Sequence, residues 1–213
     1  MIISHKHKFI FIKTKKTAGT SVEISLSAIC GEEDILAPIS LEDEETRKNL
    51  GYRTKQNFNL KGFELHSHYP AKNIKKLLED NIWKDYYKFC FERNPWDKVI
   101  SWYYWHYQQE TKPTISDFIE SGEASLVSGP GGYDLYTEND GVIIDHVCYY
   151  ENIENELEHI KNTLNLPTIP PLTKAKSHTR KEKKHYREYF NEKDKKAIET
   201  IFHKEIALMG YKF

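Results

Sequence analysis

Apolar and polar positions along this chain switch between two periods, and the switches mark its elements. "KFIFIK" at 8–13 is a β-branched and aromatic run with turn-forming residues behind it, the pattern of a buried strand. From Thr20 the spacing changes. Val22, Leu26 and Ile29 fall at i, i+4 and i+7, the apolar stripe of a helix that ends near Gly31. "YYKFCFE" at 86–92 is the clearest strand in the sequence, and "RNPWDKVISWYYWHYQ" after it predicts a second strand, turn, helix unit. There Asn94 suits a cap and Pro95 the first helical position, and Asp97 places a negative charge in the first turn.

The remaining patterns fill in the chain. Residues 32–60, rich in acid, Gly and Asn, predict irregular surface, with "EDEE" at 42–45 as a solvated face. "FELHSHY" at 63–69 predicts a strand and "AKNIKKLLED" at 71–80 a helix. "GVIIDHVCYYENI" at 141–153 reads as strand into turn, "IENELEHIKNTLN" at 153–165 as a helix stopped by Pro167, and "EKDKKAIETIFHKEIALMG" at 192–210 as a terminal helix. Strands alternating with helices predict an α/β layer fold around a mainly parallel sheet. No Pro/Gly/Ser-rich linker divides the 213 residues, which predicts a single domain, 1–213.

Charge and cysteine content narrow the function classes. With 31 Lys+Arg against 32 Asp+Glu the formal net charge is −1, so the chain as a whole does not attract nucleic acid and any anion site must be local. Cys30, Cys90 and Cys148 are far apart in apolar surroundings with no CxxC pair, which reads as buried thiols in a reducing compartment. "MIISHKHKFIFIK" is too short an apolar run for a signal peptide, and no segment reaches the roughly 20 apolar residues of a membrane helix. The expectation is a soluble, cytoplasmic chain with no membrane partner.

The first strand, loop, helix unit has the makings of an anion cradle. A helix N-terminus presents unpaired N–H groups and the positive end of a dipole. Here the cradle would be Lys16, Thr17, Ala18, Gly19, Thr20 and Ser21: Gly19 admits close backbone approach, the three hydroxyls donate, and Lys16 adds a mobile charge. The same Thr/Ser content also suits a plain helix cap. The GK[ST] ending of a Walker A loop is absent, which weakens a nucleoside triphosphate hydrolase. In the second unit, Arg93 at the strand end offers a fork to two phosphate oxygens, and Ser101, seven residues beyond Asn94, returns to the same helix face. Alternatively, Arg93 pairs with a nearby acid and Ser101 is an incidental surface hydroxyl.

Together these motifs resemble a family. "KTKKTAGTS" is similar to the 5′-phosphosulfate loop, and "RNPWDKVISWYY" to the 3′-phosphate segment, of sulfotransferases that use 3′-phosphoadenosine 5′-phosphosulfate (PAPS), in particular the carbohydrate-type branch with the heparan 2-O-sulfotransferases. The ending "EIALMGYKF" is similar too. The resemblance implies a P-loop-like α/β fold with a short central sheet, PAPS as donor and adenosine 3′,5′-bisphosphate (PAP) as product, and no metal. Family loops often open with Pro or Gly, whereas this one has "KTKKTAG", so Lys13 and Lys15 compete with Lys16 for the sulfuryl group.

Sulfuryl transfer to a hydroxyl or amine needs a held nucleotide, a cation at the developing charge, and a base. On a strand, His66 and His68 of "ELHSHYP" would share a face, and the HxH element resembles the 2-O-sulfotransferase pattern in which the second His, here His68, is the base. His66 and Glu64 are the alternatives, and a zinc site on the two histidines would need a ligand from elsewhere. For Lys174, Lys176, Ser177, His178 and Arg180 the resemblance implies a loop over the nucleotide; Lys181, Lys183 and Lys184 read as a solvated basic stretch. "WYYWHY" from Trp102 suits helix packing, with a wet face open to a sugar or other ring-shaped acceptor, and "SGPGGYDLYT" at 128–137 reads as a flexible lining for an acceptor mouth. The competing functions are a nucleotide or small-molecule kinase, disfavoured by the lack of an acidic Mg²⁺ motif, and a non-catalytic nucleotide-binding module.

Overall fold

A computed structural model describes residues 1–173 and 184–213. Two antiparallel strands, β1 (Ile2–Ser4) and β2 (Phe9–Phe11), lead into helix α1 (Gly19–Ser27). Strand β3 (Ile35–Leu36) pairs antiparallel with β1, and α2 (Leu41–Asn49) follows. A small hairpin of β4 (Asn59–Leu60) and β5 (Phe63–Glu64) precedes α3 (Ala71–Leu77) and α4 (Asp80–Asp85). Then come β6 (Tyr87–Glu92), α5 (Pro95–His106) and α6 (Ile115–Glu120). A second hairpin, β7 (Thr137–Glu138) with β8 (Gly141–Val142), leads to β9 (His146–Tyr149) and α7 (Ile153–Thr163). Helices α8 (Glu192–Ile201) and α9 (His203–Met209) complete the fold.

The central sheet has the order β3-β1-β2-β6-β9. It is mixed rather than mainly parallel: β2–β6 and β6–β9 are parallel, while both contacts of β1 are antiparallel. The reason is local. The turn between Ser4 and Phe9 is short enough only for a hairpin, whereas parallel neighbours need a crossover of a dozen or more residues. Alternation divides the sheet between two cores. Phe9, Phe11, Phe89, Phe91 and Cys148 face Val22 and Leu26 of α1 and Leu157 and Ile160 of α7. Ile3, Ile10, Ile12 and Cys90 face Ala71, Ile74 and Leu77 of α3 on the other side. A third cluster joins Trp96, Val99 and Ile100 of α5 to Phe118, Ile198 and Phe202. At roughly 1.5–3 kcal/mol for each large apolar side chain buried, these clusters dominate the fold's stability.

The parallel half of the sheet positions the site. β2, β6 and β9 all end on one edge, so the segments that follow them meet there, where ligands of α/β sheets bind. Register carries this further: Glu92 pairs with Tyr149, which brings Arg93 and Tyr150 side by side.

Several elements differ from expectation. Residues 41–49 form α2, not irregular surface. Ser40 caps it by accepting from the Asp43 N–H, and Arg47 on its inner face is fully buried and paired with Glu44. An acid-rich helix that buries a charged residue has no apolar stripe to read. The strand expected at 63–69 is limited to Phe63–Glu64, with His66 and His68 in the turn beyond it. The helix at 71–80 breaks at Leu78 and that at 192–210 at Phe202, each of which leaves helical backbone. Residues 128–137 form successive short 3₁₀ turns rather than a flexible lining. Their glycines serve packing: a Cβ on Gly131 would sit 2.4 Å from the Leu126 carbonyl oxygen, and one on Gly132 2.8 Å from the Lys98 ammonium. Among the described residues no helix is long and apolar enough to cross a membrane.

Candidate active site

At the carboxyl edge of β2, β6 and β9 lies a cleft of about 910 Å³. Its walls bring together Lys13, Lys15, Lys16, Ala18, Gly19, Thr20 and Ser21 of the first loop, His68, and Arg93 and Ser101 of the second unit. Lys176, Ser177, His178 and Arg180, with Lys174, Lys181 and Lys183, lie outside the described residues; Leu172 and Thr173, just before them, line the cleft.

The first loop is shaped to expose helix-terminal amides. Lys16 and Ala18 both have left-handed backbone, with φ of 62° and 57°. For residues carrying a Cβ this costs roughly 1–2 kcal/mol each, and such strain concentrates at ligand clamps. Ala18 is the N-cap of α1, and no side chain caps it. The loop is therefore not a plain cap: no side chain takes up the first-turn amides, and Ala18, Gly19, Thr20 and Ser21 line the cleft. Gly19 permits the geometry: a Cβ there would lie 2.6 Å from Lys13 Cγ.

Thr17 departs from its expected place. Its hydroxyl is buried beneath the loop, donating to the Thr14 carbonyl at 3.3 Å and lying 2.9 Å from Thr14 Oγ1, which bonds in turn to the Phe91 carbonyl. Flanked by two left-handed residues, the Thr17 side chain turns inward, where a buried hydroxyl must find protein partners. It braces the loop on β6 and does not line the cleft.

The three lysines differ in what holds them. Lys13 is buried, and its ammonium bonds Glu23, a fully buried carboxylate that also takes the Met1 amino group. Lys15 lies over the Trp102 ring at 5.6 Å and reaches the Leu126 carbonyl at 3.4 Å. Burial, and then the nearby Lys98, push its pKa below the ordinary lysine value. Lys16 lies over the Trp105 ring at 5.2 Å.

Arg93 joins the two units. Its Nε and Nη2 bond Asp97 Oδ2 at 2.9 and 2.6 Å, Nη1 donates to the Lys16 carbonyl at 3.1 Å, and the guanidinium rests 4.1 Å from the Tyr150 ring centroid. Asp97, one helical turn beyond Arg93, receives two guanidinium N–H groups on one oxygen and so fixes the orientation of the guanidinium in the cleft wall. Both alternatives for Arg93 hold at once: it pairs with an acid and it lines the cleft. Asn94 accepts from the Trp96 and Asp97 N–H groups as the cap of α5.

His68 hangs from the first loop. Its Nδ1 lies 2.8 Å from the Lys13 carbonyl oxygen, an acceptor, so this nitrogen carries the proton and Nε2 keeps its lone pair. Burial, and then the charge of Lys13, push its pKa down to about 3 against the opposing effect of that hydrogen bond, so the ring is neutral at pH 7. His66 is exposed and packs edge-on against Tyr69 at 5.1 Å, and Glu64 is exposed on β5; neither lines the cleft. The hydrogen bond to Lys13, not a shared strand face, positions His68.

Sequence reasoning missed part of the wall. Tyr150 and Glu151 close one side of the cleft, Glu151 accepting the Asn94 N–H at 2.6 Å, while the expected wet face of "WYYWHY" is met by Trp102 and Trp105, which stack at 4.8 Å along another. The signal for Tyr150 and Glu151 was positional, since they follow a strand parallel to β6 as Arg93 follows β6 itself.

Comparisons with known proteins agree with this architecture. The crystal structure of mouse sulfotransferase SULT7A1 complexed with PAP matches with a TM-score of 0.53 at 15% identity, covering 96% of this chain and 85% of that one. The two share the α/β fold, a central mixed sheet flanked by helices. An uncharacterized protein of Archaeoglobus fulgidus is 33% identical over 101 residues, 46% of this chain and 83% of that protein. The model of the Sulfotransferase family matches residues 1–126, which hold the first loop, His68, Arg93 and Ser101. That match covers more than half of the sequence, and the chain belongs to the sulfotransferase family.

Proposed function

We propose that the protein moves a sulfuryl group from PAPS to a hydroxyl or amine of a small-molecule or carbohydrate acceptor, with His68 as base and Lys16 at the transferred group. The observation that carries this reading is the convergence of two anion-suited units and a neutral imidazole on one cleft, linked by the Arg93 bond to the Lys16 carbonyl. The residues suit a nucleotide with phosphates at two ends: an uncapped helix start and Gly19 for one, Arg93 and Ser101 for the other. PAPS, when bound, supplies an activated sulfuryl group on a good leaving group.

The chain's own residues do the rest. The amides at the start of α1 hold the 5′ end without charge of their own. Lys16 is preferred over its neighbours because it lines the cleft beside the start of α1 and its own carbonyl is bound by Arg93 of the second unit. Its ammonium counters charge that grows on the bridging and equatorial oxygens. His68 Nε2 takes the acceptor proton as the new S–O or S–N bond forms. A base with a pKa near 3 is weak, but anionic phosphates nearby favour the imidazolium and raise it during turnover. The Trp105 face at the rim suits the apolar face of a sugar or aromatic acceptor.

The test is a PAPS-driven screen of sugar, phenol, amine and lipid acceptors, with and without chelator. Sulfated product formed without magnesium is expected. Absence of product, with thermal melts shifted by ATP and not by PAP, would overturn the reading in favour of a kinase.

A further inference from the structure

Away from the cleft, strand β9 and helix α7 bring together a second constellation. His146 and Cys148 lie two apart on β9, on one face of the sheet, and Glu156 and His159 lie one turn apart on α7, which packs against that face. A ring nitrogen of His146, the Cys148 sulfur and a Glu156 carboxylate oxygen all fall within 4.8 Å of one another. His146 Nε2 is 2.9 Å from Glu156 Oε2, and the His159 ring centroid is 5.4 Å from that of His146. None of these residues lines the cleft.

We propose that this cluster binds a zinc-type divalent cation through His146, Cys148 and Glu156, with His159 or water as fourth ligand. One imidazole, one thiolate and one carboxylate are the mixed nitrogen, sulfur and oxygen donors that suit zinc, not the all-oxygen set of magnesium or calcium. Bonds of roughly 2.0–2.3 Å in a tetrahedron put ligand atoms about 3.3–3.8 Å apart. The observed spread of up to 4.8 Å therefore has to contract by about 1 Å as the ion binds. Glu156 is already oriented, since its Oε1 accepts the Tyr149 N–H at 3.0 Å and leaves Oε2 toward the cluster, the arrangement of a ligand fixed by an outer partner. Ligation displaces the thiol proton to solvent.

Such an ion bolts β9 to α7 and so fixes the turn between them. That turn carries Tyr150, which lies beneath Arg93, and Glu151, which holds the Asn94 N–H. The site is structural, takes no part in the proposed transfer, and does not depend on it.

The full chain, stripped with chelator, is titrated with cobalt(II). One equivalent is expected to give a near-ultraviolet thiolate-to-cobalt band and the visible bands of a four-coordinate ion, both removed by zinc. Cys148→Ser and His146→Ala should each abolish the ultraviolet band, and Glu156→Gln should weaken cobalt affinity by about 10- to 100-fold. Zinc should raise the melting temperature of the parent and not of His146→Ala. If Cys148→Ser fails to fold, His146→Ala and Glu156→Gln carry the test alone. No thiolate band at saturating cobalt, a band that survives His146→Ala, or a melt indifferent to zinc would each overturn the proposal and leave a His–Glu pair beside a buried thiol.

Discussion

The two strand, turn, helix units look alike in outline and differ in how their helices begin. Helix α1 starts at Ala18 with strained backbone and no side-chain cap, whereas α5 starts at Asn94 with its amides engaged, Pro95 in place and Asp97 against the dipole. The first helix start is thus available to an external anion, and the second is satisfied by the protein. An anion at the second unit must be met by side chains, Arg93 and Ser101. One fold element, used twice on neighbouring parallel strands, yields a backbone cradle and a side-chain anchor.

The largest expected effect tests whether chemistry belongs to the first unit, from which His68 hangs. His68→Ala should lower transfer rate by roughly 10²- to 10⁴-fold while the melt shift caused by PAP stays near parental. Loss of PAP binding in step with rate would mean that His68 holds the loop instead. The same residue gives a pH signature. Its pKa of about 3 in the folded chain lies below the ordinary value near 6.5, so the unfolded chain binds a proton in that window that the folded one refuses. The stability it contributes is fully present above pH 6.5 and is lost as pH falls toward 3. Melts from pH 7 to 4 should therefore drop more steeply for the parent than for His68→Gln; parallel curves would remove the assignment of a neutral ring.

Next in size is Arg93→Ala, which removes the anchor and its bond to the Lys16 carbonyl but leaves the backbone amides at the start of α1 in place. Charged hydrogen bonds contribute roughly 1.5–3 kcal/mol, so PAP affinity should fall about 10- to 150-fold with little change for adenosine 5′-phosphate. Ser101→Ala should act in the same sense but less. Equal losses for both nucleotides would erase the division between the units.

Smaller effects compare the helix starts directly. Asn94→Ala should destabilise the fold by about 1 kcal/mol in denaturant unfolding. Ala18→Gly, which relieves left-handed backbone, should stabilise the ligand-free chain by about 1 kcal/mol. A destabilised Ala18→Gly would show that the loop is not strained.

Much of this contrast was legible in the sequence. Asn94, Pro95 and Asp97 spell a capped helix in any context, and the apolar stripe from Val22 sets α1. The left-handed Lys16 and Ala18 could not be read, because neither residue type prefers that backbone and tertiary packing imposes it. Thr17 was placed on the wrong side of its loop for the same reason. His68 was singled out with a strand as its support, but a two-residue β5 and a single hydrogen bond to Lys13 do that work. Helix α2 escaped notice because its inner face carries Arg47 and Asp43, and burial by charge leaves no apolar period. "HVC" and "ENELEH" held the His146, Cys148 and Glu156 cluster in plain sight, but only the packing of β9 on α7 brings them together.

The bond from Arg93 to the Lys16 carbonyl has a metrical consequence. Two ligand-facing groups tied to each other through the protein act as a ruler, with their spacing set before anything binds. On the proposed reading, the cleft sorts nucleotides by reach rather than by total charge. A triphosphate carries about as much negative charge as a 3′,5′-bisphosphate but places it all at one end, and a gauge with two marks discriminates against it.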